Sequence, residues 1–236
     1  MKLLLCSDYS GVGYKFLDKF FDKTEGLNCL FVGYAQDDPF ELESGTAKKF
    51  KEIGVNVISL KRGYDFKDKI DIVFVRGGNT TRLIHFLRMN NQFEKIKDLV
   101  ENQGAVYIGS SAGSVLAGSD TQYTLRSEPY EYDVKKEFGE NALKGFGWVE
   151  KMVFVHTTPN RMCYSDEMQN SEDFFITPDT FCYPAHVEEV ELYESDEYIE
   201  IGNEQALFVD GTAREMLTDD WSKFEFRILE DLQQQD

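Results

Sequence analysis

The chain has 236 residues, 42% of them apolar, which is enough to bury a core without support from disulfides or metals. Lys and Arg total 25 against 43 Asp and Glu, and a formal charge of −18 at pH 7 excludes a general phosphate-binding surface, so we expect no nucleic-acid partner. The acid is concentrated at the end of the chain, where residues 181–236 hold 16 acidic and 3 basic side chains. This pattern favours a solvated acidic face, or a field that repels anionic substrates and attracts cationic ones.

The apolar runs and the cysteines indicate the cellular compartment of the protein. No apolar run reaches the roughly 20 residues that a membrane helix needs, and the leucines at residues 3–5 are too few for the apolar segment of a signal peptide. The cysteines contain no C-x-x-C pair and are too few for a disulfide scaffold; they are Cys6, Cys29, Cys163 and Cys182. We therefore expect a cytoplasmic protein with reduced thiols and no membrane partner.

Apolar, β-branched runs alternate with amphipathic segments, which is typical of a parallel sheet with helices on both faces. The runs predict buried strands at residues 2–6, 28–34, 55–60, 70–75 and 105–109. Apolar residues three or four positions apart predict crossover helices at residues 14–21, 41–53, 80–89 and 93–102. Together they predict an α/β fold with a doubly wound, mostly parallel sheet in three layers.

The second half of the chain has a looser pattern. It predicts a strand at residues 145–155, a helix at residues 166–175, and a β-hairpin over residues 191–217 with its turn at Asp210 and Gly211 that closes the sheet. Residues 219–236 form an acidic C-terminal tail. Because no linker, repeat or low-complexity block divides the sequence, we expect one domain over residues 1–236.

The turn that follows the strand at residues 105–109 has the pattern of a nucleophile elbow. In doubly wound sheets the working site lies beyond the carboxyl ends of the strands. Ser111 has a glycine two positions to either side, Gly109 and Gly113, whereas the two nearby serines do not. The elbow needs these glycines because its backbones come too close for a β-carbon. The pattern predicts a Ser111 nucleophile with the Ala112 N–H beside it for an oxyanion; the alternative is a small-residue turn that packs a helix against its strand.

A second turn, after the strand at residues 70–75, contains Gly77, Gly78, Asn79 and Thr80. Paired glycines leave backbone N–H groups able to face a ligand, so this turn is a candidate half of an oxyanion hole. Asn79 is a candidate substrate-binding residue. Alternatively, Asn79 or Thr80 caps the helix that follows, as in an ordinary turn.

A catalytic serine needs a base, and the chain has three histidines. His85 lies in an apolar helical run, which favours a core or interface position. His186 lies in an acidic stretch, which favours the surface. His156 ends a strand-like run at the start of an irregular segment, and this position makes it the candidate general base.

Together these residues resemble the dipeptidase E and cyanophycinase family of serine peptidases. The resemblance rests on the strand at residues 2–5 leading to Ser7, on the turn at residues 77–80, on the elbow at residues 109–113 and on Val155 with His156. It implies a glutamine-amidotransferase-like sheet, short peptides as substrates and no cofactor. The site residues that it implies are Ser111 as nucleophile, His156 as base, and the N–H groups of Gly77, Gly78 and Ala112 at the oxyanion.

The sequence departs from the family at the third catalytic residue. The family has an acid in the segment that matches residues 201–207, and here Asn203 occupies its place with Glu204 one position later. An asparagine can orient an imidazole through its side-chain oxygen but stabilises the imidazolium less than a carboxylate does. Either Asn203 completes the triad or Glu204 does so through a shifted turn; in the alternative interpretation both belong to a polar turn.

A second departure concerns specificity. In dipeptidase E an arginine downstream of the catalytic histidine helps to bind an N-terminal aspartate, and residues 162–172 contain no arginine. Arg161 is the candidate substrate-binding substitute, with Arg126 and Arg76 as others. The serine-peptidase chemistry therefore carries over more firmly than the aspartyl preference, and a peptide with a neutral or basic end suits the acidic charge equally well.

Other classes compete with this interpretation. A catalytically impaired relative could bind a small peptide or metabolite, and Asn203 keeps that alternative open. A cysteine enzyme is disfavoured because the elbow holds Ser111, and a dinucleotide binder because residues 7–13 lack the full G-x-G-x-x-G spacing. No histidine pair or carboxylate set has metal-ligand spacing, so we expect no metal. The 14% aromatic content leaves room for a homodimer.

Overall fold

The computed structural model describes residues 1–7, 17–42, 45–122, 124, 132–157, 198–202 and 205–218. The strands in chain order are β1 (Lys2–Cys6), β2 (Asn28–Val32), β3 (Asn56–Ser59), β4 (Ile72–Val75), β5 (Val106–Ser110), β6 (Met152–Thr157), β7 (Tyr198–Gly202), β8 (Gln205–Asp210) and β9 (Ala213–Thr218). The helices are α1 (Gly45–Glu52), α2 (Thr80–Met89), α3 (Phe93–Glu101), α4 (Ala112–Leu116) and α5 (Val134–Phe138), and a 3-10 turn follows at Glu140–Leu143.

The main sheet has seven strands in the order β3-β2-β4-β5-β1-β8-β9. The strands from β3 to β1 in this order run parallel, whereas β8 is antiparallel to β1 and β9 is antiparallel to β8. Gly211 turns the chain between β8 and β9 with a φ of 60°. The predicted mostly parallel α/β sheet is confirmed, and the hairpin that closes it lies at the predicted turn.

Both faces of the main sheet are buried. On one face strand residues pack with apolar side chains of α2, α3 and α4, and on the other they pack with Phe50 of α1. Since successive side chains point to opposite faces, a strand covered on both sides is apolar at every position. The burial of β4 at every residue, Ile72–Val75, is an example. This arrangement explains why the strands are continuous apolar runs in the sequence.

Several predicted helices and strands have different bounds in the structure. The part of the predicted helix at residues 14–21 that is described contains only a 3-10 turn, in which the Phe20 N–H donates to Leu17 O (3.1 Å). The predicted helix at residues 41–53 is shorter, at Gly45–Glu52. The helix predicted at residues 166–175 lies outside the described residues.

The strand predicted at residues 145–155 begins only at Met152. The residues before it instead satisfy the end of α4, because the N–H groups of Phe146 and Trp148 donate to Leu116 O (2.8 Å) and Ala117 O (3.1 Å). The last four carbonyl groups of a helix lack partners within it, and this segment supplies them.

The hairpin prediction over residues 191–217 is wrong for β7. This strand does not pair with β8 but lies parallel to β6 in a separate two-stranded sheet. Alternating apolar residues predict a strand but do not specify which strand it pairs with. Among the residues described, no helix is long and apolar enough to cross a membrane.

Candidate active site

Ser111 lies in a strained turn between β5 and α4. Its φ is 49° and its ψ is −111°, a conformation that non-glycine residues seldom adopt. Hydrogen bonds hold it there: the Ser111 N–H donates to Cys6 O at the end of β1 (2.9 Å), and the N–H groups of Ser114 and Val115 donate to Ser111 O (2.8 and 3.0 Å). Such strain persists only where the surrounding structure fixes it.

The two glycines of the elbow are needed for steric reasons. A β-carbon on Gly109 would lie 2.7 Å from the backbone of Gly113, and one on Gly113 would overlap the carbonyl oxygen of Val75 on the neighbouring strand β4. The Tyr107 hydroxyl donates to Gly113 O (2.6 Å) and holds this close approach. The spacing of glycines around Ser111 therefore reflects the packing of the elbow against β4 and β5.

We expect Gly113→Ala to destabilise the fold, because its new methyl group meets rigid backbone. Overpacking of this kind costs about 2 kcal/mol or more, which lowers the Tm of a chain of this size by roughly 4–8 °C. Gly104→Ala is the matched control: Gly104 has a φ of 78° but open space around it, so its cost is limited to about 1 kcal/mol of backbone strain. Thermal unfolding followed by circular dichroism measures both, and equal losses would contradict the steric explanation.

His156 lies at the end of β6, beside the elbow. Its Nε2 is 2.9 Å from Ser111 Oγ, within hydrogen-bond distance. The His156 backbone also has a positive φ, 61°, and the pairing of β6 with β7 shifts register between Val155 and Thr157. Histidine is one of the residue types that tolerate this conformation. The irregularity turns the His156 side chain out of the alternating pattern of β6 and towards Ser111.

Ser7 connects the two sheets at this point, a role that its sequence context does not indicate. Its side chain is fully buried. The hydroxyl accepts from the backbone N–H of His156 (2.8 Å) and donates to Ile201 O on β7 (2.5 Å). A serine after a strand supports the family resemblance but does not by itself indicate a contact with His156. Only the approach of β6 and β7 to the end of β1 reveals these contacts.

The Gly77–Gly78 turn packs directly on the elbow. A β-carbon on Gly77 would lie 2.8 Å from Ser111 Cβ, and one on Gly78, whose φ is 137°, would overlap Ala35 O. The Gln36 side chain donates to Gly77 O (2.5 Å). The carboxyl ends of the neighbouring strands β4, β5 and β1 thus bring this turn, Ser111 and Ser7 together.

Asn79 caps α2. Its side-chain oxygen accepts from the Arg82 N–H (2.8 Å) and from the Thr81 hydroxyl (2.7 Å), and its own N–H donates to Ala35 O (2.9 Å). This geometry is the helix cap that the sequence offered as an alternative to substrate binding.

The other histidine that the structure describes, His85, is a core residue of α2. His85 is 7% exposed, and its ring stacks on that of Tyr132 with 4.0 Å between ring centroids. Its Nδ1 lies 3.1 Å from Glu137 Oε2, although not in line for a hydrogen bond. His186, Arg161, Asn203 and Glu204 lie outside the described residues. Within the described part of the chain, no group of three or more His, Cys, Asp or Glu side chains could hold a metal ion.

The fold and this geometry define a class of protein: a mostly parallel α/β sheet whose carboxyl edge carries a serine on a tight strand–turn–helix, with a histidine within hydrogen-bond distance. The chain belongs to peptidase family S51, whose sequence model matches residues 3–217. The predicted membership in the dipeptidase E family is thereby confirmed.

Relatives and solved structures agree with this family. The chain is 33% identical to peptidase E of Haemophilus influenzae (strain KW20 Rd) over 134 residues, which are 52% of this chain and 61% of the relative. A probable alpha-aspartyl dipeptidase of Drosophila melanogaster is 29% identical over 49% of each chain. A crystal structure of a candidate peptidase E from Listeria monocytogenes EGD-e superposes with a TM-score of 0.63 at 20% identity, over 92% of this chain and 98% of that one. The chain spans about six-tenths of the Haemophilus relative that it matches.

Proposed function

We propose that this protein is a serine peptidase that hydrolyses short peptides through an acyl-enzyme on Ser111. The observation that carries the proposal is the 2.9 Å separation of Ser111 Oγ and His156 Nε2 at an elbow of strained geometry. Membership of peptidase family S51 supports the same chemistry. The substrate is proposed from the family; the name of the Drosophila relative, an alpha-aspartyl dipeptidase, describes that protein.

In the proposed mechanism, His156 Nε2 accepts the Ser111 proton as Oγ attacks the scissile carbonyl carbon. The negative charge that develops on the carbonyl oxygen is stabilised by the backbone N–H groups of Ala112 and of the Gly77–Gly78 turn. The protonated His156 then donates to the leaving amine, and the acyl-enzyme forms. Water, deprotonated by His156, attacks the ester and releases the acid product and Ser111.

For this chemistry Nε2 must be unprotonated, so the proton of a neutral imidazole resides on Nδ1 and needs an acceptor. We propose that the acceptor follows β7, at Asn203 or Glu204. Support comes from the register of the small sheet, in which Ile201 pairs with Val155 and Gly202 with Thr157, so the chain leaves β7 level with His156. Arg161 remains a proposed substrate-binding residue; a cytoplasmic location and a homodimer also remain predictions from the sequence.

Substitution of Asn203 and of Glu204 shows which of them accepts the Nδ1 proton of His156. We expect Asn203→Ala to lower kcat by about 100-fold, because the imidazole loses the group that fixes its tautomer, while Glu204→Gln changes kcat by less than about threefold. Steady-state kinetics on a cleaved dipeptide measure both. The reverse pattern would assign the role to Glu204, and two harmless substitutions would exclude both residues.

The proposed function is tested with a small fluorophosphonate, which forms a covalent adduct with an activated serine. Intact mass should show one adduct on the wild-type protein, and peptide mapping should locate it at Ser111. Ser114→Ala is the matched control, since Ser114 is fully buried and its hydroxyl lies within hydrogen-bond distance of Cys6 O and Gly109 O; this variant should label normally. A folded wild-type protein that does not label would contradict the proposal and favour the alternative of a catalytically impaired relative that binds a small peptide or metabolite.

A further inference from the structure

Consecutive residues at the end of β1 hold the backbones of both members of the Ser–His pair. The carbonyl oxygen of Cys6 accepts from the Ser111 N–H at 2.9 Å, and the hydroxyl of Ser7 accepts from the His156 N–H at 2.8 Å. Ser111 and His156 come from different sheets, so their separation depends on what joins those sheets. The end of β1 is bonded to both.

The Ser7 hydroxyl bridges the two strands of the small sheet. The β6–β7 ladder pairs Val155 with Ile201 and Thr157 with Gly202, and the register shifts between these two pairs, at His156. Ser7 Oγ accepts from the His156 backbone N–H and donates to Ile201 O at 2.5 Å, so one hydroxyl links the two strands where their register shifts. A hydroxyl has one donor and two acceptor sites, which suits it to this bridge.

The bridge is directional, whereas the packing of β6 on helix α4 is apolar. Val153 and Val155 of β6 pack in the same apolar cluster as Val115 and Leu116 of α4. Apolar contact fixes a distance loosely because it is non-directional, whereas a pair of buried hydrogen bonds fixes both distance and angle. Ser7 is 0% exposed, so water cannot replace its hydroxyl without rearrangement.

We propose that Ser7 is a positioning residue: through its hydroxyl, and next to the Cys6 carbonyl that holds Ser111, it sets the position of His156 relative to the nucleophile. This inference rests on the proposed function, in which His156 is the base. Ser7 touches no reacting atom and acts only through the His156 backbone. Its loss should therefore affect the proton-transfer step more than substrate binding.

The Ser7 bridge is tested by a measurement that does not depend on enzymatic activity. In Ser7→Ala, hydrogen–deuterium exchange measured by mass spectrometry should speed up by about tenfold or more in peptides that cover residues 152–157 and 198–202, since the His156 N–H loses its acceptor. The matched control is Thr121→Val, which removes another fully buried hydroxyl, one that donates to Leu143 O at 2.6 Å. It should leave exchange in these peptides unchanged. Unchanged exchange in Ser7→Ala would overturn the proposal.

The positioning role is tested by rate. Ser7→Ala should lower kcat and the rate constant for fluorophosphonate labelling about 10- to 100-fold, the cost of misplacing a catalytic group by a fraction of an ångström to one ångström. KM should change less than about threefold. Thr121→Val should retain both rates, and Ser7→Thr, which keeps the hydroxyl, should recover most of the labelling rate if its methyl group leaves the Tm unchanged.

A double-mutant cycle separates positioning from general damage. In the His156→Asn background the base is absent, so adding Ser7→Ala should lower the residual labelling rate by less than about twofold. A further loss as large as in the wild-type background would overturn the proposal, because Ser7 would then act on the elbow itself. Faster exchange with an unchanged rate, in a wild-type protein that labels at Ser111, would overturn it as well.

Failure of the proposed function has a different signature. A wild-type protein that does not label would remove the proposed function and the catalytic role of Ser7 together. Faster exchange in Ser7→Ala would in that case show a bridge that stabilises the small sheet without a catalytic role.

Discussion

Ser111→Ala should lower kcat for peptide hydrolysis by a factor on the order of 10⁴ to 10⁶, the range seen when a serine nucleophile is removed. The variant keeps its oxyanion donors and its substrate contacts, so KM should stay within about threefold. The hydroxyl makes no capping bond to α4, and alanine accepts the strained φ of 49° no worse than serine does. The Tm should therefore remain within about 2 °C of the wild-type value.

The measurement compares turnover of a dipeptide and thermal unfolding for the wild-type protein, Ser111→Ala and Ser114→Ala. Ser114→Ala should lose stability, because the buried Ser114 hydroxyl that it removes lies within hydrogen-bond distance of two carbonyl oxygens, yet it should keep its activity. Hydrolysis by Ser111→Ala within tenfold of the wild-type rate would exclude Ser111 as the nucleophile.

His156→Asn should lower kcat by a factor on the order of 10⁴ or more, because no group then accepts the Ser111 proton. Asparagine is chosen since it tolerates a positive φ, and His156 has a φ of 61°. The backbone can then keep its conformation while the base is removed. The rate of fluorophosphonate labelling at Ser111 should fall in parallel with kcat.

His85→Asn is the matched control for this substitution. His85 is buried in α2 against Tyr132, so its loss should lower the Tm and leave kcat within about threefold. A His156→Asn variant that retains its turnover would remove the base from the proposed mechanism, and a His85→Asn variant that loses it while still folded would reopen the choice of histidine.

The local pattern of apolar and polar residues predicts those strands and helices that do not depend on a distant partner. The apolar runs at β1, β2, β4 and β5 and the amphipathic α2 are found in the structure within a few residues of their predicted bounds. The failures lie where long-range pairing decides. The segment before Met152 donates backbone hydrogen bonds to the end of α4 instead of forming a strand. In addition, β7 pairs with β6 rather than extending the hairpin. Neither of these long-range pairings can be predicted from the local spacing of apolar residues.

The residues of the candidate site likewise differ in whether the local sequence indicates their role. The glycine spacing around Ser111 is visible in the local sequence, although only Gly109 meets backbone close to it in the chain and Gly113 packs against Val75 of β4. The role of Ser7 has no local signal, since its partners are His156 and Ile201, far along the chain. The choice between Asn203 and Glu204 and the extent of the domain stay predictions.

Short sequence patterns were sufficient for the α/β class and for the family, because apolar runs and glycine motifs are local features. Ser111 as nucleophile and His156, rather than His85, as base remain predictions from the sequence. The tertiary structure decided how far Ser111 lies from His156 and what holds them there. That distance is set where β1 of the main sheet meets the small β6–β7 sheet, and such a junction is fixed by packing and hydrogen bonds between segments that are neighbours only after folding.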